Sequence, residues 1–465
     1  MTSRTIVSGI DSSTQSCKAV TVDAETGDIL STASAAHPDG TAVDPRHWWK
    51  ALQDCTPDGF ADSAALAVSA QQHGLVALGA DNRPVYDALL WNDTRSAPQA
   101  AQLRERYGDP WWAREIGVVP VSSFTLTKLA WLAQNEPAVA AATRTVLLPH
   151  DWLTWQLAGT KEAPTTDRSD ASGTGYFSVP QNSYRPELIE EAFGSVPQLP
   201  RVLAPNETAG RTPAGTLLAA GCGDNAGAAL GLGLRPGEVV VSIGTSGTVF
   251  TSTPKPVEDP SGAVAGFADA TGQNLPLLAT INAARILAST ARLLTVDLPE
   301  LDRLASAGPV DAAGLTLVPY FDGERTPNLP DARGTLLGMS RANLTPENLA
   351  RSAVLGLLCS LADALDALRA QGIAADRVLL IGGVAKSGSV RAAAADILSA
   401  EIQVPEPAEY VALGAARQAA WALSGDAEPP QWKRRIQTSF EPTQSGWAAD
   451  VRGRFKDAKE RLYGV

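Results

Sequence analysis

Residues 6–20 read IVSGIDSSTQSCKAV and residues 239–250 read VVVSIGTSGTVF, and the two stretches share one pattern. Each is an apolar, strand-like run that enters a turn of small and hydroxyl-bearing residues and returns as a second strand. Turns of this composition direct backbone N–H and hydroxyl groups towards phosphate oxygens. Either stretch alone is also compatible with an ordinary hairpin, because Gly, Ser and Thr are common turn formers. The occurrence of one in each half of the chain predicts a nucleotide held between two lobes.

The composition is that of a globular protein with more than one domain. The chain has 465 residues, 44% of them hydrophobic and 19% charged, which is enough to bury large cores in two or three domains. Its net charge of -12 disfavours nucleic acid as a partner, because binding to a phosphate backbone needs a concentrated basic surface. No run reaches the roughly 18 apolar residues of a membrane span, so we expect no membrane partner.

The cysteines and the beginning of the chain indicate a cytoplasmic protein. Four scattered cysteines form no C-x-x-C pair, so neither a zinc site nor a disulfide framework is indicated. The sequence reaches the strand-like residues 6–10 without a long apolar leader. We therefore expect reduced, buried thiols and a cytoplasmic location.

The alternation of β-rich and helical stretches in the first half predicts an α/β fold with helices on a sheet. Helices are expected over 45–54, 96–107 and 126–135, and a longer one from the N-cap Thr345 to Gly372. We place the boundary between the two lobes at the turn 234–237, which gives domains 1–234 and 235–465.

Asp224 is the strongest catalytic candidate, because transfer of a γ-phosphoryl group needs a base near the acceptor hydroxyl and little other covalent chemistry. The chain has no Gly-x-x-x-x-Gly-Lys-Ser/Thr loop, so a P-loop mechanism is excluded. Asp11, at the end of an apolar run, could hold magnesium through water or orient the phosphates. Each acid could instead simply form a turn or cap a helix. The flanking Gly223 and Asn225 favour the catalytic interpretation of Asp224.

Two polar stretches of the first half suit a sugar. Residues 70–74 read AQQHG and follow a strand-like run, while residues 91–95 read WNDTR. Amide, imidazole and carboxylate groups beside an aromatic face can recognise several hydroxyls. The alternatives are a structural histidine in the first stretch and a surface loop anchored by one buried Trp in the second.

Several motifs together resemble the FGGY family of carbohydrate kinases over nearly the whole chain. Residues 123–135, SFTLTKLAWLAQN, are similar to the first family signature at every constrained position. Residues 334–339 and 352–355 resemble the second signature, which differs at Leu355, a position that is usually acidic. QQHG at 71–74, LWND at 90–93 and GERTPN at 323–328 are most similar to the xylulokinases.

The resemblance implies a two-lobed α/β fold of the actin/hexokinase (ribonuclease H-like) type, with an ATP cleft between a sugar- and phosphate-binding lobe and a nucleotide-binding lobe. It implies phosphorylation of the ketopentose D-xylulose by ATP with Mg²⁺, and it allows for a homodimer. Another substrate of the same machinery, such as ribulose, gluconate or glycerol, is the nearest alternative. A non-catalytic, actin-like nucleotide switch is the alternative from another class.

The resemblance also gives roles to residues of this chain. The resemblance implies that Asp224 is the catalytic base and that Asp11 is also catalytic. Asp11 is the candidate for binding Mg²⁺, either directly or through water. At residue 72 many xylulokinases have Met where this chain has Gln. The ketose candidates are Gln72, His73, Trp91, Asn92, Asp93, Asp224 and Asn225. The nucleotide candidates are Ser13, Thr14, Gly244, Thr245, Ser246, Gly247, Gly382, Gly383 and Lys386.

Overall fold

The computed structural model describes residues 4–56, 58–443 and 445–465. These residues divide into two compact units. The first unit contains the described residues up to Leu234 with Ser252–Pro276 and Ala408–Arg434, and the second contains Arg235–Thr251, Leu277–Pro407 and Arg435–Val465. The chain thus returns twice to the first unit after residue 234, and the sequence alone gives no sign of these two returns.

The first unit is built on a sheet whose central strand, Ile6–Ser12, is buried along nearly its whole length. Its hairpin partner is Ser16–Asp23, so the strand-turn-strand predicted for residues 6–20 is confirmed. Ile6–Ser12 runs parallel to Ala65–Ala70, which in turn runs parallel to the short strand Cys222–Gly223. The carboxyl ends of these three strands therefore lie at one edge of the sheet. The main strand order is Thr208–Arg211, Leu217–Ala219, Ala65–Ala70, Ile6–Ser12, Ser16–Asp23, Ile29–Ala36.

One face of this sheet packs against the helices Arg46–Cys55 and Pro149–Leu157. Alternate strand residues such as Ile10 and Val68 share this core with Trp152. Burial of large apolar side chains on both layers is the main force that holds such a sandwich together.

The opposite face packs against the Ala-rich helix Tyr410–Ser424. A Cβ added at Gly9 would lie 1.9 Å from the Ala412 carbonyl oxygen, so only glycine permits this close approach of strand and helix. Helix Asp224–Leu232 lies against the same helix, where a Cβ at Gly414 would lie 1.9 Å from the carbonyl oxygen of Gly227.

The first unit also contains further helices and short strands. The helices predicted over 96–107 and 126–135 are confirmed with bounds Ala97–Tyr107 and Thr125–Asn135. The other helices are Asp109–Glu115, Pro137–Ala142, Arg168–Ala171 and Pro186–Phe193. The short strands are Ala42–Val43, Val76–Leu78, Ala88–Leu89, Thr145–Leu147, Thr165–Asp167, Phe177–Ser178, Ser183–Tyr184, Arg201–Leu203 and Ala265–Ala268.

The second unit has its own mixed sheet. The strand Asn274–Thr280 enters it through residues 277–280. Glu238–Ile243 forms a hairpin with Gly247–Phe250, which confirms the second predicted strand-turn-strand. The strand order is Asn274–Thr280, Gly247–Phe250, Glu238–Ile243, Arg377–Ile381, Glu401–Pro405, Ile436–Phe440. A separate pair consists of Thr316–Val318 and Thr335–Leu337.

The long predicted helix of the second unit is confirmed as Pro346–Ala370. The Thr345 hydroxyl accepts the Asn348 N–H, as expected of the N-cap. The other helices of this unit are Ala284–Leu294, Leu298–Ala307, Gly388–Leu398 and Trp447–Tyr463. Over the described residues, no helix is both long enough and apolar enough to cross a membrane.

Candidate active site

Asp11 and Asp224 lie at the same edge of the first unit's sheet. Asp11 is the penultimate residue of its strand and pairs in register with Ser69 of the neighbouring parallel strand. Cys222 pairs with the same Ser69 from the other side, and Asp224 begins the helix two residues later. In open α/β sheets, ligands bind beyond the carboxyl ends of the strands. The two acids predicted from the sequence are therefore brought together where a ligand is expected.

The two carboxyls influence each other's ionisation. Burial and, next, the nearby charge of Asp11 raise the pKa of the half-buried Asp224 to about 7. Burial raises the pKa of Asp11 to about 6, while a hydrogen bond from the Ser13 hydroxyl and the charge of Lys18 act in the opposite direction. A carboxyl with a pKa near neutral pH is well matched to general-base catalysis.

Neighbouring side chains fix the two acids in place. Both the backbone N–H and the side-chain amide of Asn225 donate to Oδ1 of Asp224, each at 2.7 Å. Lys18 lies opposite Asp11 on the hairpin, and its ammonium group is 2.6 Å from the Glu409 carboxylate. Asn225, predicted to bind the ketose, thus orients the Asp224 carboxylate in this structure.

The turn of the N-terminal hairpin contains the candidates Ser13 and Thr14. The Ser13 N–H donates to the carbonyl of Ser16 at 3.1 Å, and its hydroxyl donates to Asp11. The Thr14 hydroxyl accepts a hydrogen bond of 2.9 Å from the Trp91 indole. His37, which directly follows the strand Ile29–Ala36, also contacts the turn, since its Nδ1 is 2.8 Å from the Ser13 carbonyl oxygen. This role of His37 was not predicted from the sequence.

The side chains of Gln72 and His73 contact the backbone of the segment 169–173. Gln72 Nε2 donates to the Ser169 carbonyl at 3.1 Å, and His73 Nδ1 is 2.7 Å from the Gly173 carbonyl oxygen. His73 also has φ of +70°, in the left-handed region that is rare for non-glycine residues and is concentrated at functional sites. Of the two candidates, Gln72 directs its amide nitrogen into the protein.

Gln71, one residue earlier, is a site candidate that was not assigned a role from the sequence. Its side chain is only 1% exposed, and neither amide atom has a hydrogen-bond partner among the described residues. Its own N–H donates to the Ser12 carbonyl beside Asp11. Buried polar groups are almost always paired, so an unpaired amide here indicates a position that meets ligand or water. The position in QQHG was visible in the sequence, but the free amide was not.

The residues of the second polar stretch, 91–95, differ in their burial and in their hydrogen bonds. Asp93 is buried and accepts hydrogen bonds from the Thr41 hydroxyl at 2.9 Å and Arg95 Nε at 2.8 Å. Burial alone would raise the pKa of Asp93, but these hydrogen bonds lower it below its ordinary value. Trp91 and Asn92 are half-buried, and Oδ1 of Asn92 has no partner within the described ranges. Asp93 therefore stabilises the loop, whereas Asn92 has an amide oxygen without a partner among the described residues.

The second unit brings its nucleotide candidates together at the end of its own sheet. The Gly244 N–H donates to the Ser246 carbonyl, and Gly247 pairs with Ile243 across the turn, which leaves the Thr245 side chain exposed. A Cβ at Gly382 would lie 2.5 Å from the carbonyl oxygen of Ile243. The glycine therefore lets the two turns approach each other closely.

Beyond Gly382 the chain makes a short 3₁₀ turn, Gly383–Lys386, before the helix Gly388–Leu398. Gly383 and Lys386 are exposed on this turn. The N–H groups of Gly388 and Ser389 donate to the Asp302 carboxylate, each at 3.0 Å. An internal carboxylate thus occupies this helix N-terminus, and the exposed glycine turn is what remains for a nucleotide.

Comparison with known proteins decides the family. Residues 6–231 match the N-terminal domain of the FGGY family of carbohydrate kinases, and residues 239–423 match its C-terminal domain. The chain belongs to this family. The resemblance noted in the sequence is thereby confirmed, and the protein is an ATP-dependent carbohydrate kinase with the expected two-domain, actin/hexokinase-type α/β fold.

Individual relatives are similar over nearly their full length. A xylulose kinase of Streptomyces rubiginosus is 42% identical over 99% of this chain and 95% of its own. A xylulose kinase of Streptomyces coelicolor is 44% identical over 94% of this chain and 92% of its own. The crystal structure of a xylulose kinase from Bifidobacterium adolescentis has a TM-score of 0.90 and 45% identity, covering 98% of this chain and 99% of that one.

Proposed function

We propose that this kinase transfers the γ-phosphoryl group of ATP to the terminal hydroxyl of D-xylulose, giving D-xylulose 5-phosphate and ADP. The observation that carries the mechanism is the position of Asp224, half-buried at the start of a helix, beside Asp11 and with a pKa raised to about 7. The similarity to xylulose kinases supports the choice of ketose.

In the proposed step, Asp224 accepts the proton of the ketose hydroxyl as the hydroxyl oxygen attacks the γ-phosphorus. An oxygen–phosphorus bond forms, the bond from the γ-phosphorus to its bridging oxygen breaks, and ADP leaves with that electron pair. Above pH 7 the Asp224 carboxylate is mainly ionised and able to take the proton. The Asn225 amide keeps Oδ1 oriented and leaves Oδ2 for the hydroxyl.

The chemistry around Asp11 fits a divalent cation that accompanies ATP. Hard cations prefer oxygen ligands, and Asp11 offers a carboxylate with a second carboxylate, Asp224, nearby. The buried hydroxyls of Ser12 and Ser69 lack a partner in the described part of the chain, so the surroundings also suit the water shell of such an ion. We assign Asp11 to Mg²⁺, directly or through water, and the ion would neutralise charge on the phosphate oxygens.

The other residues bind and orient the substrates. In the second unit, Gly244–Gly247 and the Gly382–Gly383 turn offer backbone and hydroxyl donors to the nucleotide. In the first unit, Ser13 and Thr14 lie in the turn of the N-terminal hairpin and offer further donors to the phosphates. For the ketose, Trp91 offers an apolar face and Asn92 its amide, and Gln71 adds a buried amide without a protein partner.

The test is ADP release by the purified protein with Mg·ATP, measured against D-xylulose, L-xylulose, D-ribulose, L-ribulose, D-gluconate, glycerol and a blank without sugar. We expect D-xylulose to give the highest kcat/KM, and preference for another compound would refute the substrate. Asp224→Asn should lower kcat by roughly 10²-fold or more while the fold is retained. Full turnover by a folded Asp224→Asn protein would refute the assignment of the base.

A further inference from the structure

A fully buried charge cluster lies behind the turn that carries Asp224. His150, from the helix Pro149–Leu157, has its Nδ1 2.6 Å from Oδ2 of Asp170 and 3.2 Å from Oδ1 of Asp151. All three side chains are 0% exposed. Burial of charge is costly unless the charges are paired and hydrogen-bonded. A buried charge cluster is therefore weak evidence for stability and suggests a functional role.

The distances identify the cluster as an ion pair. A separation of 2.6 Å is that of a charge-assisted hydrogen bond, whereas two ligands held about 2.0–2.1 Å from one metal ion are at least about 3 Å apart. Burial alone would lower the pKa of His150, but Asp151 and Asp170 raise it to about 10. An imidazolium donates from both nitrogens, and the second nitrogen, Nε2, lies 3.3 Å from the Ala220 carbonyl oxygen.

That carbonyl begins the segment Ala220–Gly223, which bends at Gly221 and continues as the two-residue strand Cys222–Gly223 up to Asp224. We call this segment the Ala220–Gly223 turn. Gly221 has φ of +82°, and a Cβ there would lie 2.5 Å from the His150 ring, so the turn rests directly on the imidazole. At the other end of the turn, the Gly223 N–H donates to the Ser169 hydroxyl at 3.1 Å. Ser169 is the residue before Asp170, so the partner of His150 and the second support of the turn belong to one short helix, Arg168–Ala171.

We propose that His150 and Asp170 are positioning residues for Asp224, and that their ion pair holds the Ala220–Gly223 turn so that the carboxylate faces the acceptor hydroxyl. This inference rests on the proposed role of Asp224. It explains why two charges are kept in a closed core: the pair ties two distant segments to the turn that presents the base. Apolar residues could fill the space, but they could not fix a carbonyl in one direction.

The charge of Asp170 is also coupled to that of Asp224. Burial, and after it the charges of Asp167 and Asp224, raise the pKa of Asp170 to about 6, and the coupling between Asp170 and Asp224 is reciprocal. The other titratable groups around the cluster are Asp151, Asp167, Tyr176, Tyr184 and Cys222. Loss of the Asp170 anion should therefore lower the pKa of Asp224.

The experiment compares His150→Gln and Asp170→Asn with the wild type under Mg·ATP and D-xylulose. We expect kcat to fall roughly 10-fold to 100-fold, because small misplacements of a catalytic group are costly. KM for ATP should change by less than about threefold, since the nucleotide site is untouched. The acid limb of the kcat/KM profile should move to lower pH in Asp170→Asn.

Ser169→Ala is the variant that keeps the proposal testable if the charge variants fold poorly. It keeps the charges of His150 and Asp170 and removes the hydroxyl that accepts the Gly223 N–H and also hydrogen-bonds the Asp167 carboxyl, so kcat should fall with little displacement of the acid limb. Asp109→Asn is the matched control, because it removes the carboxylate of an ion pair with Arg104 at 2.5 Å on a helix that carries none of the site residues. It should leave kcat and the acid limb unchanged.

The proposal is overturned if His150→Gln and Asp170→Asn lower only the melting temperature and leave kcat and the acid limb as in the wild type. It is also overturned if folded Ser169→Ala has wild-type kcat. Asp224→Asn, measured alongside, distinguishes a failure of this inference from a failure of the proposed role of Asp224 as base. If Asp224→Asn is inactive, wild-type kcat and acid limb in the His150, Asp170 and Ser169 variants contradict only this inference. If Asp224→Asn is active, Asp224 is not the base.

Discussion

The indole N–H of Trp91 donates a hydrogen bond of 2.9 Å to the hydroxyl of Thr14. Thr14 lies in the turn of the N-terminal hairpin, a candidate for phosphate binding, and Trp91 lies in the loop assigned to the ketose. The two residues are 77 positions apart in sequence. The contact joins the candidate sites for the two substrates within one unit, so we expect a change on the phosphate side to be felt on the sugar side.

Thr14→Val tests this connection. Valine keeps the shape of threonine but removes the acceptor, which leaves the indole without its protein partner. A lost hydrogen bond of this kind costs about 1 kcal/mol of stability, so the melting temperature should fall slightly, and release of the indole should raise KM for the ketose roughly fivefold. Thr14→Ser retains the hydroxyl and is the control, with expected wild-type kinetics. An unchanged ketose KM in Thr14→Val would show that the contact does not orient Trp91.

Local patterns were sufficient to predict much of the fold. The two strand-turn-strand units follow from apolar runs interrupted by small turn residues, and the helix Pro346–Ala370 follows from its Thr345 cap. These features depend on residues close together in the sequence. The return of Ser252–Pro276 and Ala408–Arg434 to the first unit depends on packing between distant segments and left no such local signal.

Sequence reasoning named the two acids of the candidate site but none of the contacts that hold them in place. Asp11 and Asp224 stand out because each ends a strand or begins a helix beside small residues. His150 and Asp170 are 20 residues apart, and only the folded chain brings them together. Sequence reasoning likewise could not separate Gln71 from Gln72, because the difference lies in where each amide points.

Gln71 and Gln72 should therefore respond in opposite ways to loss of the amide. The amide of Gln71 is buried without a protein partner, so Gln71→Leu should leave the melting temperature unchanged or higher and lower kcat/KM for D-xylulose by roughly tenfold or more. Gln72 donates to the Ser169 carbonyl, so Gln72→Met should cost about 1 kcal/mol of stability and leave the ketose preference unchanged. Thermal melts and the ketose panel measure both, and a change of preferred ketose in Gln72→Met would contradict this assignment.

Asp224 should reduce stability above neutral pH. Its folded pKa of about 7 lies above the unfolded value near 4, so between these values the folded protein binds a proton that the unfolded chain releases. Stability from this group therefore falls as the pH rises from about 4 to 7, and the cost is complete above pH 7. We expect Asp224→Asn to melt at a higher temperature than the wild type at pH 8 in EDTA, with a smaller difference at pH 5.

Asp23→Asn is a control of opposite sign. The backbone N–H groups of Thr26 and Glu25 hold the pKa of Asp23 below its ordinary value. This carboxylate therefore stabilises the fold above its unfolded pKa, and its stabilisation is lost as the pH falls through its folded pKa. Asp23→Asn should melt below the wild type at pH 8. Equal melting temperatures of Asp224→Asn and the wild type at pH 8 would contradict the raised pKa of Asp224.

Gly9→Ala should destabilise the first unit more than the addition of one methyl group usually does. The added methyl group would lie 1.9 Å from the carbonyl oxygen of Ala412 and 2.3 Å from the N atom of Ala416, and backbone atoms cannot rotate away. The helix Tyr410–Ser424 would have to move off the strand that carries Asp11, so we expect a loss of about 3 kcal/mol or more in urea denaturation. Gly453→Ala, where nothing lies within 4 Å, should instead gain up to about 1 kcal/mol. Wild-type stability in Gly9→Ala would mean that strand and helix are not in such close contact.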